Sequence, residues 1–132
     1  MSLALAFNIE DIWEDIEKYV ASVIPYVHGE FTVADIKARL VANTYNLVVF
    51  KERDSCIGII VFSTQLIAGK KAAFILIAAG KAITTKQHWA ELKALLSSYE
   101  YKYVEAAMRD STLRLWSSLG FKKKYNVAGV NL

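Results

Sequence analysis

The residues of this chain best suited to chemistry cluster where a strand gives way to a helix. The run Ala79-Gly80-Lys81-Ala82-Ile83-Thr84-Thr85 combines one glycine, one ammonium group and two hydroxyls. Free backbone N–H groups and the positive end of the helix dipole converge on such a junction, which suits an anion such as a pyrophosphate. With Gly80 as its only glycine, the run is equally compatible with an ordinary strand–helix corner. Lys81 would add a point charge, and Thr84 and Thr85 would donate hydroxyl hydrogens, although Thr84 also fits the cap of the helix. Glu105 is the candidate base. Period-two alternation puts it on one strand face with Tyr103 and Ala107, and Arg109, four residues on, offers a salt-bridge alternative. His88 and Tyr125 read as packing or surface groups, each within reach of the same junction. Cys56 is the lone cysteine, so no internal disulfide forms, and with only His28 and His88 beside it no metal-ligand spacing arises.

The elements that must position these residues follow from periodicity. Asn8 to Ser22 is a helix with Ile9, Ile12, Trp13, Ile16, Tyr19 and Val20 on one face, Asn8 as cap, and Pro25 and Gly29 marking its end. Thr32 and Asp35 open a second helix carrying Val33, Ile36 and Leu40 inward. Three strands follow, Asn46–Lys51, Cys56–Leu66 with Gly58 as a bulge, and Lys71–Ala79, joined by short turns into an antiparallel meander. A capping box of Thr84 and Gln87 starts a helix whose stripe is Trp89, Leu92, Leu95, Leu96 and Tyr99. Strand Lys102–Met108 comes next. A short helix capped by Asp110 or Ser111 then turns Leu113, Trp116 and Leu119 inward, with Gly120 closing it and a last strand over Phe121–Val127. The long crossover between Lys71–Ala79 and Lys102–Met108 requires a parallel pair with a right-handed connection.

Composition sets the outer bounds. The 132 residues are 55% hydrophobic and 22% charged with one proline, which excludes a disordered chain and predicts one domain, 1–132. Mean hydropathy is +0.26, yet the longest apolar stretches, Cys56–Phe62 and Ala72–Ala79, fall short of the ~20 residues a spanning helix needs. Leu3–Phe7 lacks a basic flank and runs into Glu10 and Asp11, which reads against a signal peptide. A cytoplasmic location without membrane partners is therefore expected. The net charge of +3 resides mostly in Lys122-Lys123-Lys124, which reads as a solvated strand end; nucleic-acid binding would ask for a broader basic stripe.

The order (β)ααβββαβαβ, an α/β (α+β) mixed sheet with a central antiparallel meander and one parallel pair, resembles the GNAT superfamily of N-acetyltransferases, with Leu3–Phe7 as a short first strand. The most specific piece is Ser111-Thr112-Leu113-Arg114-Leu115-Trp116-Ser117-Ser118-Leu119-Gly120-Phe121, similar to the family's C-terminal helix with its leucine-glycine-phenylalanine step. More loosely, Gly80, Trp89 and Arg109 resemble abbreviated phage-encoded GNAT-like proteins. The resemblance implies acetyl-CoA or another acyl-CoA as cofactor, bound by backbone amides of Ala79, Gly80, Lys81, Ala82, Ile83, Thr84 and Thr85, and a small-molecule or protein amine as acceptor. The family's Gln/Arg-x-x-Gly-x-Gly/Ala motif is degenerate here, with Ala79, Ala82 and Thr84 at the three defining positions. Where many members place an acidic tyrosine in the last helix, this chain has Trp116. The expected activity is acyl-CoA-dependent N-acyl transfer, with acceptor contacts from the loops Ile24–Glu30 and Ser63–Lys70. The alternative is a non-catalytic binding or assembly module that would form a homo-oligomer or partner surface.

Overall fold

The computed structural model describes residues 2–26, 31–108, 110–124 and 128–132. Its elements are β1 (Ser2–Ala6), α1 (Ile9–Val23), α2 (Val33–Val41), β2 (Asn46–Glu52), β3 (Ser55–Ile67), β4 (Lys70–Gly80), α3 (Lys86–Ser98), β5 (Tyr103–Ala106) and α4 (Asp110–Trp116). Short 3-10 turns follow α1 at Ile24–Tyr26 and α4 at Ser117–Leu119. No helix among the described residues is long and apolar enough to cross a membrane.

The sheet runs β1-β2-β3-β4-β5, antiparallel from β1 to β4 and parallel between β4 and β5. Alternation along β2 and β3 sends side chains to two cores. Leu47, Val49, Ile59 and Val61 meet Trp13, Ile16 and Val20 of α1 and Ile36 and Leu40 of α2. Val48, Phe50, Ile60 and Phe62 meet Leu92 and Leu96 of α3 and Trp116 of α4. The central strands are thus greasy on both faces, which accounts for the positive hydropathy without a membrane segment.

Two extra residues break the ladders. Phe50 pairs with Gly58 and Lys51 with Cys56, so Ile57 is the inserted residue, next to the glycine expected to mark a bulge. Val61 pairs with Ile77 and Phe62 with Ile75, which makes Leu76 an insertion in β4.

The helix starts test the capping expectations. Thr32 and Asp35 form a reciprocal capping box, with the Thr32 amide donating to Asp35 Oδ2 at 2.9 Å and the Asp35 amide to Thr32 Oγ1 at 3.1 Å. The bond from the Thr32 amide, with the Thr32 hydroxyl beside it, holds the Asp35 carboxyl below its usual range. Asn8 precedes α1 but makes no side-chain cap bond. The cap of α3 is Thr85, not Thr84: Thr85 Oγ1 accepts from the His88 amide at 3.1 Å. Ile83 sits at φ 51°, and this left-handed step lengthens the turn by one residue. Gln87 turns instead to Glu91 Oε1, at 3.5 Å.

Other boundaries move for equally local reasons. Tyr99 is 41% exposed at the end of α3, outside the apolar stripe. The expected loop over Ser63–Lys70 shrinks to Ala68 and Gly69, because β3 and β4 pair out to Ile67 and Lys70. Asp110 is already helical, so the capping position falls on Arg109, outside the described residues. Gly120 closes the following turn at φ 100° as expected. Residues 121–124 form no strand: Phe121 turns inward against Trp89 and Trp116, and Lys124 reaches Glu105. The remainder of that expected strand, Tyr125 to Val127, lies outside the described residues, as do His28 and Gly29.

Candidate active site

Pairing between β4 and β5 stops at Ile75 and Ala106, yet β4 runs on to Gly80. Along Leu76–Gly80 the β5 side of β4 therefore lacks a strand partner among the described residues, which leaves an opening beside β4 beyond the end of β5. The Leu76 insertion falls at the first residue past the last pair. Bulges characteristically terminate pairing and re-aim the strand, so the opening has a local cause.

On the α3 side of this opening lies a cavity of about 430 Å³ lined by Ala78, Ala82, Ile83, Thr84, Thr85, Lys86, Thr112, Leu115, Trp116, Ser118 and Leu119. Its floor is the β4–α3 turn. The amides of Ala82, Ile83, Thr85, Lys86 and Gln87 have no acceptor among the described residues, as expected for a turn leading into the first turn of a helix. The Lys81 amide is already taken by Ile57 O at 2.8 Å. The Thr84 amide donates to His88 Nδ1 at 3.4 Å, and Thr84 Oγ1 lies 3.1 Å from both Lys81 O and that same ring nitrogen. His88 also sets its ring edge-on to Phe50, centroids 5.9 Å apart.

Gly80 serves packing. A Cβ there would lie 2.5 Å from Ile57 O, 2.6 Å from Tyr19 Cε1 and 2.9 Å from Gly58 Cα. A Cβ on Gly58 would strike the Ala82 amide nitrogen at 2.7 Å and the Lys81 amide nitrogen at 2.9 Å. The two glycines let β3 and the β4–α3 turn close on each other. Tyr19 secures the contact by donating to Cys56 O at 2.9 Å. Burial raises the Cys56 thiol above its usual range, which leaves it a weak nucleophile.

On the opposite face of the sheet the opening meets Glu105. Val104 and Ala106 pack into the α3-side core, so alternation turns Tyr103 and Glu105 toward the α1/α2 side. Glu105 pairs with Phe74 in register and forms an ion pair with Lys124. Arg109, the partner suggested by spacing, lies outside the described residues.

Solved structures share this fold. A probable acetyltransferase superposes with a TM-score of 0.73 at 8% identity, covering 100% of this chain and 97% of the other. A ribosomal-protein-alanine N-acetyltransferase from Brucella melitensis biovar Abortus 2308 gives 0.69 at 9% identity and 100% of both chains. The chain carries the GNAT fold. An aminoglycoside acetyltransferase from an uncultured soil metagenomic sample, in complex with sisomicin, also superposes, with a TM-score of 0.68 at 13% identity over 99% of this chain and 94% of the other. No family model matches the sequence, and no curated protein is similar to it in sequence. At these identities the GNAT relationship is one of architecture.

Within this GNAT fold the residues singled out from sequence separate into two groups. Ala82, Ile83, Thr84 and Thr85 line the corner cavity. Ala79 points into the α1/α2 core, and Gly80 and Lys81 are not among the lining residues. Trp116 is buried on the cavity wall with its ring 5.2 Å from that of Phe121, a packing role. Sequence reading missed Lys86, Thr112, Leu115 and Ser118, which reach the cavity only because α4 folds over the start of α3. It also missed the pairing of Lys124 with Glu105, which joins two segments nineteen residues apart.

Proposed function

We propose that this chain transfers an acyl group from an acyl-coenzyme A to a primary amine. The observation that carries the reading is the opening beside β4: its pairing with β5 ends at Ile75 and Ala106, with the corner cavity on one face and Glu105 on the other. The residues present suit an acyl-coenzyme A. The exposed, cavity-lining amides of Thr85 and Lys86 and the charge of Lys86 would hold its diphosphate. Leu115 and Leu119 offer apolar wall to the rest. When bound, the acyl-coenzyme A supplies the thioester: an N–C bond forms to the amine, the C–S bond breaks and the thiol departs. Glu105 takes the proton that the ammonium must shed before its nitrogen is nucleophilic. Trp116 lacks an acidic proton, so the leaving sulfur takes its proton from water, and water also accepts the second proton that the nitrogen sheds as the amide forms.

Acetyl-coenzyme A at about ten times its Kd should add about 1.4 kcal/mol of stability. That corresponds to a rise in Tm of roughly 5 °C for a domain of this size. Lys86→Glu should abolish most of the rise. An unchanged Tm at millimolar ligand would remove the acyl-transfer reading and leave the chain as a binding or assembly module on the same fold.

A further inference from the structure

The face of β5 that turns away from the corner cavity already holds an ammonium group. Lys124 Nζ pairs with the Glu105 carboxylate and lies 5.0 Å from the centroid of the Tyr103 ring. Carboxylate and aromatic face together form a site selective for a cation, the first by a charge-assisted hydrogen bond and the second through the ring quadrupole. The Glu105 side chain is only 11% exposed, whereas Lys124 is 47% exposed and comes from a segment without strand or helix. The carboxylate is thus the fixed half of the pair and the lysine the replaceable half. Glu105 is also one residue short of the end of β4–β5 pairing, at the mouth of the opening.

We propose that Glu105 and Tyr103 form a binding site for the acceptor's primary ammonium, and that Lys124 is an internal occupant which the acceptor displaces. The identity of the ligand as acceptor rests on the acyl-transfer reading; the binding itself requires no donor. The surroundings narrow the class further. The groove of about 1040 Å³ that wraps this edge is lined on its β5 and C-terminal side by Lys102, Lys122 and Lys123 besides Lys124, against the single carboxylate of Glu105. An excess of positive charge around one cation seat disfavours polyamines and favours an amine carried by an anionic molecule.

Calorimetric titration of the whole chain with Nα-acetyl-L-lysine, one ammonium and one carboxylate, tests this. Vacating the seat removes the internal competitor, so Lys124→Gln should bind the probe about tenfold more tightly than the unaltered chain. Lys124→Arg, which keeps a cation on the seat, should stay within about twofold of the unaltered chain. The double variant Lys124→Gln with Glu105→Gln should lose the gain, and spermidine should bind Lys124→Gln more weakly than the probe. Equal affinity of Lys124→Gln and the unaltered chain, or of the single and double variants, would overturn the proposal. So would tighter binding of spermidine. The Tm response to acetyl-coenzyme A, read on the same proteins, separates the two claims: a missing response with the amine gain intact removes acyl transfer and keeps the seat, and the reverse pattern removes the seat alone.

Discussion

Gly80 and Ile83 carry the conformational cost of the β4–α3 turn, and they carry it differently. Gly80 is at φ 69° and Ile83 at φ 51°, so a β-branched residue holds a left-handed conformation that normally favours glycine. Strain of this kind costs about 1–3 kcal/mol, which burial of the Ile83 side chain among the α3-side core helps to offset. Gly80 has a second constraint, the absence of room against Ile57 and Tyr19. Gly80→Ala should therefore cost at least about 2 kcal/mol, from overpacking and backbone strain together. Gly69→Ala, at φ 79° in the β3–β4 turn with nothing within 4 Å of the added carbon, should cost only about 1 kcal/mol. Urea unfolding of the two variants checks the order, and equal losses would mean that packing against β3 contributes nothing. Gly80 stood out in the sequence as the only glycine of the junction, but the reason for it did not. A glycine before a helix suggests a ligand approaching from outside; here the approaching atoms belong to the neighbouring strand and to α1.

At the level of elements, helix α3 shows how one residue of turn geometry relocates a cap. Thr84 and Thr85 are adjacent and chemically identical, and either fits the cap preference. The left-handed step at Ile83 decides for Thr85, leaving Thr84 to bond Lys81 O and His88. Thr85→Ala should cost about 1 kcal/mol, and Thr84→Ala less than half as much, both measured by thermal or urea denaturation. The reverse order would place the cap one residue earlier. Thr32 with Asp35 needed no such adjustment, because a capping box is a wholly local motif whose spacing alone determines it. Strand ends were the least legible. The β3–β4 hairpin extends through Ser63–Lys70 because the two chains keep pairing, and pairing is a property of two segments. Conversely, Phe121 leaves any strand path to join Trp89 and Trp116, an aromatic contact that periodicity over residues 121–124 does not reveal.

Across the whole molecule, stability should be graded from the centre of the sheet outward. Val48, Phe50, Ile60 and Phe62 lie under α3 and α4 while Leu47, Val49, Ile59 and Val61 lie under α1 and α2, so β2 and β3 open only when both cores are breached. Hydrogen exchange should be slowest for amides of these residues and several orders of magnitude faster for Tyr103–Ala106, a four-residue edge strand paired to β4. Uniform protection across β2 and β5 would contradict this gradient. The amino-acid sequence by itself determined the order of the elements as far as α4, the antiparallel meander and the parallel crossover, because these follow from periodicity, turn residues and connection length. It also marked the β4–α3 junction and Glu105 as candidate places for chemistry. Only the tertiary structure decided which amides of that junction are free, that Gly80 is spent on packing, and that Lys124 lies on Glu105. Each of those depends on a contact between segments far apart in the chain, and such contacts exist only after β3, β4, β5 and their covering helices have come together.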